Sequence, residues 1–223
     1  MKILVIAAHP DDEVLGCGGT IARHVKEGDS VYILFLGDGV SSRGDSDPSM
    51  VNARKESAVK ACEVLGAAVV GFERFPDNMF DTVPLLDIVR VVESTKKDTN
   101  PQIIYTHHGG DLNIDHRITC QAVLTAFRPH PNEEFSEIRA FETNSSTECS
   151  TSAIMPPFIP DTFVDISEYL DKLLNAYACY ADEIREEPHA RSLEALKIAV
   201  LRRGREAGLH AAEAFMTLRR IYR

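Results

Sequence analysis

An excess of basic residues is the first thing that this sequence lacks. Its 223 residues include 24 Lys and Arg against 34 Asp and Glu, which gives a formal net charge of -10. A protein that binds the phosphate backbone of a nucleic acid needs a positively charged face. The charge balance therefore argues against a nucleic-acid partner, since an acidic surface of this kind usually serves solubility.

Long apolar runs are also missing. No stretch reaches the ~20 consecutive apolar residues that a transmembrane helix requires, so no membrane span is expected. The amino terminus enters an apolar strand pattern at residue 2 without a basic region or a cleavage motif. For this reason no signal peptide is expected.

Paired cysteines and nucleotide-binding loops are absent as well. The five cysteines are scattered and form no Cys-x-x-Cys pair, which argues against a cysteine-type structural zinc and indicates a reduced, cytoplasmic protein. The run Gly-Cys-Gly-Gly at residues 16–19 lacks the spacing of a dinucleotide-binding loop, and no Gly-x-x-x-x-Gly-Lys-Ser/Thr sequence occurs. These glycines are instead expected to let a helix pack tightly beneath the preceding loop.

Strand-like and helix-like segments alternate along the chain. Strands are predicted at Lys2–Ala8, Val31–Leu36, Ala67–Phe72, Ile103–Thr106, Ile138–Thr143 and Thr162–Asp165. Helices are predicted at Gly18–Glu27, Val51–Leu65, Leu85–Thr95, 115–127, Ser167–Cys179 and 191–206, with polar loops at 37–50 and 144–161. Such alternation predicts an α/β fold, with a mainly parallel, doubly wound, Rossmann-like sheet flanked by helices. Because no linker or repeat interrupts it, residues 1–223 are interpreted as a single domain.

Titratable groups crowd the end of the first predicted strand. His9, Asp11, Asp12 and Glu13 follow the apolar run of residues 3–8. Ligands bind beyond the carboxyl ends of parallel strands in such folds. A tight turn there would aim His9 and Asp12 at one metal ion and leave Asp11 beside it to accept a proton. Glu13 either points into the same site or is a first-turn acid favoured by the helix dipole.

Two motifs resemble those of a known family. The sequence His-Pro-Asp-Asp at residues 9–12, directly after the first strand, is the hallmark of the PIG-L/LmbE family of zinc-dependent de-N-acetylases. A second match, Asp-Leu-Asn-Ile-Asp-His-Arg, occupies residues 111–117 and follows another apolar strand. The spacing of the motifs and the order of the strands also fit, so the resemblance covers most of the chain.

The resemblance implies a metal centre and a general base. It implies that His9, Asp12 and His116 are the metal ligands and that Asp11 takes a proton from the attacking water. Two histidines and one carboxylate suit catalytic zinc with an open position for water. Ligand types alone also allow Fe2+ or Mn2+. Taken singly, His9 has the alternative of packing at a strand end, and Asp12 and Asp11 have the alternative of capping a helix.

The source of the proton for the leaving amine is left open by the sequence. Many relatives carry a histidine three positions before the ligand histidine, whereas this chain has Asn113. Asn donates a hydrogen bond to an oxyanion but does not shuttle protons. The proton is therefore expected from Asp11 itself, from His107 or from His108. At most one of these two histidines is expected to face the site, because consecutive side chains of an extended chain point to opposite sides.

Further residues are implied by the same resemblance. Asp115 is expected to accept the second N–H of a metal-bound histidine or to orient Asp11. Arg54 corresponds to a position where an arginine contacts the substrate in the family. Asp77 and Asn78 resemble a segment that lies near the sugar, although their composition is also that of a simple turn.

The implied activity is that of a hydrolase that removes the N-acetyl group of an amino sugar or an N-acetylglucosamine-containing glycoconjugate. Its partner is then a small-molecule N-acetylated sugar, and a homo-oligomer is compatible with the sequence. An amidase for another N-acyl or thiol-conjugate substrate is the first alternative. A non-catalytic sugar or nucleotide binder of Rossmann-like fold is the second. The intact set of His9, Asp11, Asp12 and His116 argues against the binder, which has no need for all four.

Overall fold

Residues 1–43, 48–131 and 133–222 are described by a computed structural model of the chain. The strands are β1 (Lys2–Ala7), β2 (Ser30–Gly37), β3 (Ala68–Phe75), β4 (Ile103–His107), β5 (Glu137–Phe141), β6 (Thr162–Asp165) and β7 (Ala212–Arg220). The helices are α1 (Asp12–Lys26), α2 (Pro48–Leu65), α3 (Leu85–Thr99), α4 (Ile114–Ala126), α5 (Leu170–Ala178) and α6 (Leu193–Glu206). Among the helices of these described ranges, none has the length and apolar character that a bilayer crossing demands.

All of these strands belong to one sheet, in the order β3-β2-β1-β4-β5-β7-β6. The first five strands in this order are parallel to one another, whereas β7 is antiparallel to both β5 and β6. This arrangement confirms the predicted α/β fold with a mainly parallel, doubly wound sheet. The chain order runs outward in opposite directions from β1 and β4, which creates a crevice for ligands beyond their carboxyl ends.

Both faces of the sheet are covered by helices. Ile3 and Val5 of β1 pack into an apolar layer with α1, α2, α5 and α6, and Leu4 and Ile6 pack on the other side with α3 and α4. All four side chains are fully buried. Strands that are buried on both faces read as continuous apolar runs, which explains why the sequence of β1 was recognised.

The start of α1 differs from the prediction. The helix begins at Asp12, six residues before the predicted Gly18, and it is kinked at Cys17, where φ is -157°. The glycines around the kink disfavour a regular helix, so the pattern before them did not indicate one. In the predicted polar loop 37–50, a short 3₁₀ turn spans Ser41–Arg43 and α2 begins at Pro48. The intervening residues 44–47 lie outside the described part of the chain.

The last strand was missed by the sequence interpretation. No strand was predicted after Thr162–Asp165, whereas the structure has β7 at Ala212–Arg220. The residues of β7 include Ala, Glu, Met, Leu and Arg, which favour helices locally, but pairing with β5 and β6 overrides this preference. Glu213 is buried, and its carboxylate accepts the backbone N–H groups of Gly19 and Thr20 at 2.8 and 2.7 Å. It thereby caps the part of α1 that follows the kink.

The glycines of α1 allow close packing, as expected from the sequence. A Cβ atom added to Gly16 would lie 2.2 Å from the ring of Phe141 in β5. One added to Gly19 would lie 2.8 Å from the side chain of Ile166. Real Cβ atoms do not approach other groups so closely, so α1 reaches this depth in the fold only with glycine at these positions.

Gly16→Ala should lower the free energy of unfolding by about 1–3 kcal/mol, the usual cost of overpacking a filled core. Urea unfolding followed by circular dichroism measures it. Gly109→Ala is the matched control, because its added Cβ would meet its nearest neighbour, the sulfur of Cys120, at 3.4 Å. Equal stability of the Gly16 variant and the wild type would show that α1 lies farther from β5 than described here.

Candidate metal centre and active site

The two sequence motifs meet at the carboxyl ends of β1 and β4. His9 and Asp12 follow β1, and His116 lies in the first turn of α4, which follows β4. The Oδ2 atom of Asp12 lies 3.4 Å from Nδ1 of His9 and 3.4 Å from Nε2 of His116. All three side chains are buried. The structure thus brings together the three residues that the sequence analysis selected as metal ligands.

The outer nitrogen of each histidine faces a buried carboxylate. Nε2 of His9 lies 2.8 Å from Oδ2 of Asp115, and Nδ1 of His116 lies 3.2 Å from Oδ1 of Asp111. Metal-bound histidines commonly direct their second N–H to such an acceptor, which fixes the ring orientation. Asp115 therefore lies where the sequence analysis expected it. Asp111 was not selected, although its place at the start of the second motif was a usable signal.

The donor set fits a divalent metal. Oδ2 of Asp12 accepts the backbone N–H of His9 at 2.9 Å, but the buried Oδ1 atom has no hydrogen-bond partner among the described residues. A buried carboxylate oxygen without a donor is costly unless a cation occupies the space beside it. Two imidazoles and one carboxylate are the ligands of many catalytic zinc sites. The same residues also suit Fe2+ and Mn2+.

The charges around the histidines favour a cation as well. Burial lowers the pKa of His9, but its hydrogen bonds with Asp115 and Asp12 outweigh this effect and raise the pKa to about 10. Burial also lowers the pKa of His116, but the negative charge of Asp12 outweighs this effect and the pKa is raised to about 9. The carboxylates that raise these pKa values also favour a bound metal ion. Binding of the ion displaces the protons of both imidazoles.

Two other groups of potential ligands fit a metal less well. Nε2 of His9 lies near Asp77 and Asp115, but the carboxylate of Asp115 also accepts the backbone N–H groups of Asn78 and Phe80 at 2.6 and 3.0 Å. Asp115 is thus already engaged in holding the turn that follows β3.

The second of these groups contains His24, Glu27 and Asp29. Both ring nitrogens of His24 are occupied, one by Asp29 at 2.7 Å and one by the hydroxyl of Tyr105 at 3.0 Å. This histidine therefore has no ring nitrogen left for a metal ion.

The carboxylate of Asp11, the residue expected to be the general base, lies close to two arginine side chains. Asp11 is the residue before α1, yet its side chain makes no capping hydrogen bond within the described residues, so the capping alternative is not adopted. Oδ2 lies 3.2 Å from Nη1 of Arg191 and 3.6 Å from Nη1 of Arg54. Burial raises the pKa of Asp11 to about 6, and the two guanidinium charges act against a larger rise. A carboxyl group with such a pKa exchanges protons readily near neutral pH.

The paired histidines at the end of β4 point to different places, as expected. His107 faces the centre, with Nε2 3.4 Å from Oδ2 of Asp12 and its ring stacked on His116 at 3.9 Å. Burial holds the pKa of His107 well below its usual range, and Nε2 accepts the backbone N–H of Ala8 at 2.9 Å. His107 is therefore neutral and holds the chain at Ala8 through this hydrogen bond.

His108, the second of the pair, contacts a loop instead. Its Nε2 lies 2.9 Å from the carbonyl of Pro156, and its ring packs edge-on against Phe158 at 5.4 Å. The alternation along the strand end turns it away from the side on which His107 meets Asp12. Of the two histidines, His107 is thus the one that faces the centre, and His108 contacts the loop.

A cavity of about 90 Å³ opens beside the metal ligands. It has a strongly polar lining, to which most of the remaining sequence-selected residues contribute. The lining residues are His9, Asp11, Gly39, Ser42, Arg54, Asp77, Asn78, Asn113, Glu183 and Arg191. The sequence analysis did not select Gly39, Ser42, Glu183 or Arg191. The last two of these lie between α5 and α6 in a segment without a recognisable motif.

The arginines of the cavity are held by a shared carboxylate. Arg54 is buried, donates to the carbonyl of Pro10 at 3.0 Å and forms an ion pair with Glu183. Nη1 of Arg191 donates to the other oxygen of Glu183 at 2.8 Å, and its Nε donates to Ser145 at 2.7 Å. Arg54 is therefore fixed inside the wall of the cavity.

The amide side chains of the cavity are similarly fixed. The Oδ1 atom of Asn113 accepts the backbone N–H of Asp115 at 2.8 Å and thereby caps α4. Its Nδ2 donates to Oδ1 of Asn78 at 3.2 Å. Asp77 accepts hydrogen bonds from Ser42 and lies 3.2 Å from Nε2 of His9. Asp77 and Asn78 thus line the same cavity as His9.

Comparison with known proteins agrees with this geometry. A deacetylase of Escherichia coli K12, the uncharacterized YaiS, is 30% identical over 171 residues, which are 74% of this chain and 82% of that protein. A probable N-acetyl-alpha-D-glucosaminyl L-malate deacetylase 2 of Bacillus cereus is 26% identical, and the alignment covers 85% of this chain and 88% of that protein. A 4-oxalmesaconate hydratase of Pseudomonas putida is 28% identical, with 81% of this chain and 73% of that protein covered.

The fold has solved counterparts too. The crystal structure of GalB, the 4-carboxy-2-hydroxymuconate hydratase of Pseudomonas putida KT2440, superposes with a TM-score of 0.79 at 24% identity. The superposition covers 100% of this chain and 98% of the GalB chain. Residues 4–127, which include both motifs and more than half of the chain, match the family described as PIG-L, GlcNAc-PI de-N-acetylase. The chain is therefore a member of the PIG-L family.

Proposed function

We propose that this protein is a metal-dependent de-N-acetylase that hydrolyses the N-acetyl group of an amino sugar or of an N-acetylglucosamine-containing glycoconjugate and releases acetate. The observation that carries the proposal is the placement of Asp12, with one oxygen 3.4 Å from a ring nitrogen of both His9 and His116. Membership of the PIG-L family supports the reaction. The name of the Bacillus cereus relative supports an N-acetylglucosaminyl substrate.

His9, Asp12 and His116 would hold the metal, and zinc is the ion that their types favour. When bound, the ion polarises the acetyl carbonyl and lowers the pKa of a water molecule to ~7. Asp115 and Asp111 keep the two imidazoles oriented through their outer nitrogens.

Asp11 accepts the proton of the attacking water and returns it to the leaving amine. A single carboxylate performs both transfers, because His107 is a neutral hydrogen-bond acceptor and His108 is engaged with Pro156. Asn113 lines the cavity but carries no exchangeable charge at neutral pH. The general-acid role that the sequence left open is thus assigned to Asp11.

The polar wall of the cavity would recognise the sugar. Asp77, Asn78 and Asn113 offer carboxylate and amide groups that bind hydroxyls, and all three face the cavity beside His9. Arg54 supports this wall from within, since its guanidinium is already bound to Pro10 and Glu183.

Arg191→Gln should shift the pH dependence of the reaction. Activity requires ionised Asp11, so kcat/KM falls as the pH drops through the pKa of this group. The positive charge of Arg191 lowers that pKa. Its removal should therefore move the acid limb of the kcat/KM profile to higher pH by about one unit, as expected for an opposite charge at this distance.

The control for this prediction is Arg203→Gln. Arg203 also pairs with a carboxylate, with Nε 2.7 Å from Glu142, and its variant should keep the wild-type acid limb. An unchanged limb in Arg191→Gln would mean that the titrating group in the profile is not Asp11.

A hydratase is the second candidate, favoured by one relative and one feature of the cavity. The Pseudomonas putida relative is named 4-oxalmesaconate hydratase. Arg191 lines the cavity with a partly exposed side chain, and arginines bind carboxylates through paired hydrogen bonds. Addition of water to an unsaturated carboxylic acid would use the same metal ligands and base.

The test is acetate release by the zinc-loaded protein from a panel of N-acetylated amino sugars, with 4-oxalmesaconate and other N-acyl amides in parallel. The deacetylase proposal expects equal amounts of acetate and free amine from at least one sugar, and none after chelation. Consumption of 4-oxalmesaconate alone would favour the hydratase, and cleavage of other acyl groups alone would favour an amidase. Ligand binding without any turnover would favour the non-catalytic binder.

We also propose that residues 1–223 act as one domain, since one sheet and two continuous apolar layers run through the described residues. A reduced, cytoplasmic protein remains our proposal for its location. The five cysteines are free, and three of them, Cys17, Cys62 and Cys120, are buried. Disulfides are rare in proteins of reducing compartments.

A further inference from the structure

The backbone of Asp11 adopts a conformation that is unusual for any residue other than glycine. Its φ is 122° and its ψ is -27°. A side chain at such a positive φ crowds its own backbone, and this conformation persists only where the surrounding structure enforces it. The contacts that enforce it also determine where the carboxylate of Asp11 points.

Glu13 supplies one of these contacts. Its Oε2 atom accepts the backbone N–H of Asp11 at 3.0 Å, and its side chain is fully buried. On the other side of Asp11, the carbonyl accepts the N–H groups of Val14 and Leu15 at 3.1 and 3.0 Å as α1 begins. The hydrogen bond to Glu13 thus fixes the peptide that precedes Asp11, where the unusual φ arises.

Tyr180 fixes Glu13 in turn. Its hydroxyl donates to Oε1 of Glu13, and its side chain is 1% exposed. Tyr180 lies just beyond α5, and its carbonyl accepts the N–H of Glu183 at 2.8 Å. Glu183 holds the two arginines that flank the carboxylate of Asp11. One segment between α5 and α6 therefore supports both the backbone and the side chain of the base.

We propose that Tyr180 and Glu13 are positioning residues, which hold the backbone of Asp11 so that its carboxylate faces the reacting water. This inference rests on the proposed function, in which Asp11 is the general base. Loss of the Glu13 contact lets φ of Asp11 relax to negative values and swings the carboxylate away. A displacement of about 1 Å in a reacting group is enough to cost ~100-fold in rate.

The first test compares Tyr180→Phe with two variants of Glu13. Tyr180→Phe removes only the hydroxyl and should lower kcat about tenfold, the rate equivalent of one lost hydrogen bond, with KM and zinc content unchanged. Glu13→Gln keeps an acceptor for Asp11 and donates to Tyr180, so its kcat should stay within about threefold of the wild type. Glu13→Met removes both contacts and should lose the most activity.

A double-mutant comparison separates positioning from general destabilisation. If Tyr180 acts only through Asp11, Tyr180→Phe should cause no further loss in an Asp11→Asn background. Tyr105→Phe is the matched control, because its hydroxyl is equally buried but contacts His24 and Arg139, away from the site. It should keep the wild-type kcat. A full additional loss in the Asp11→Asn background would overturn the proposal.

Amide hydrogen exchange of Asp11, measured by NMR on metal-free 15N-labelled protein, tests the inference without any activity. Exchange should be about tenfold faster in Tyr180→Phe and close to wild type in Glu13→Gln. If the wild-type protein releases no acetate from any sugar, the proposed function is wrong. The exchange rate of the Asp11 amide would still measure its hydrogen bond to Glu13. Wild-type kcat and wild-type exchange of Asp11 in Tyr180→Phe would overturn the positioning role.

Discussion

Asp11→Asn should lower kcat by about 10²–10⁴-fold, the typical contribution of a general base, while the protein keeps its metal. Asn is nearly isosteric with Asp and leaves the ligand atoms of His9 and Asp12 untouched. It accepts no proton from the attacking water. The other carboxylates of the cavity are engaged, Asp77 with Ser42 and His9, and Glu183 with Arg54 and Arg191. Steady-state acetate release, with metal content measured on the same sample, gives the result.

The control for this substitution is Asp77→Asn, which changes a carboxylate of the same cavity that has no assigned proton-transfer role. It should raise KM for the sugar more than it lowers kcat, the pattern of lost uniform binding. Near-wild-type turnover of Asp11→Asn with metal bound would assign the base to another carboxylate. If Asp11→Asn instead loses its metal, Asp11 is a metal ligand and Asp12 becomes the candidate for the base.

Asp12→Asn should lose metal and activity together. The substitution removes the one anionic ligand and leaves two buried histidines without their shared carboxylate partner. Loss of a supporting residue typically costs about 10–100-fold in metal affinity, so loss of a ligand should cost more than that. Competition with a fluorescent zinc chelator measures the affinity, and an excess of zinc should restore part of the activity.

Asp29→Asn is the matched control for this loss. Asp29 belongs to another cluster of potential ligands, with His24 and Glu27, but its carboxylate is paired with the amino terminus and with His24. Its variant should bind zinc as the wild type does. If Asp29→Asn loses zinc and Asp12→Asn retains it, the metal lies at the carboxyl end of α1, which contradicts the proposed reaction.

The fold was largely predictable because its central strands are buried on both faces. Apolar runs such as residues 3–8 carry a strong signal, and the helices between them show clear breaks. The strand β7 carries no such signal. Its position between β5 and β6 depends on pairing with strands that are distant in sequence, which local composition does not show.

The site was predictable where its chemistry is local. His9, Asp11 and Asp12 share one turn, and His116 belongs to a second short motif. Glu183 and Arg191 come from a connection between helices and reach the site only through the tertiary fold. No spacing or composition in that segment marks them.

The side on which a residue faces was also hard to predict. The sequence showed that His107 and His108 diverge, but the structure was needed to show that His107 meets Asp12. Asp111 is a similar case, because its role depends on partners in the long loop 144–161. Ser146 and Thr147 donate to its carboxylate and hold it against His116.

Anomalous diffraction at the zinc edge from crystals of the zinc-loaded protein tests the central claim most directly. One peak is expected, with Nδ1 of His9, the carboxylate of Asp12 and Nε2 of His116 as protein ligands at ~2.0–2.2 Å. Asp11 should lie beside the ion without ligating it. A peak between Nε2 of His9, Asp77 and Asp115, or no peak near His116, would contradict the proposed metal centre.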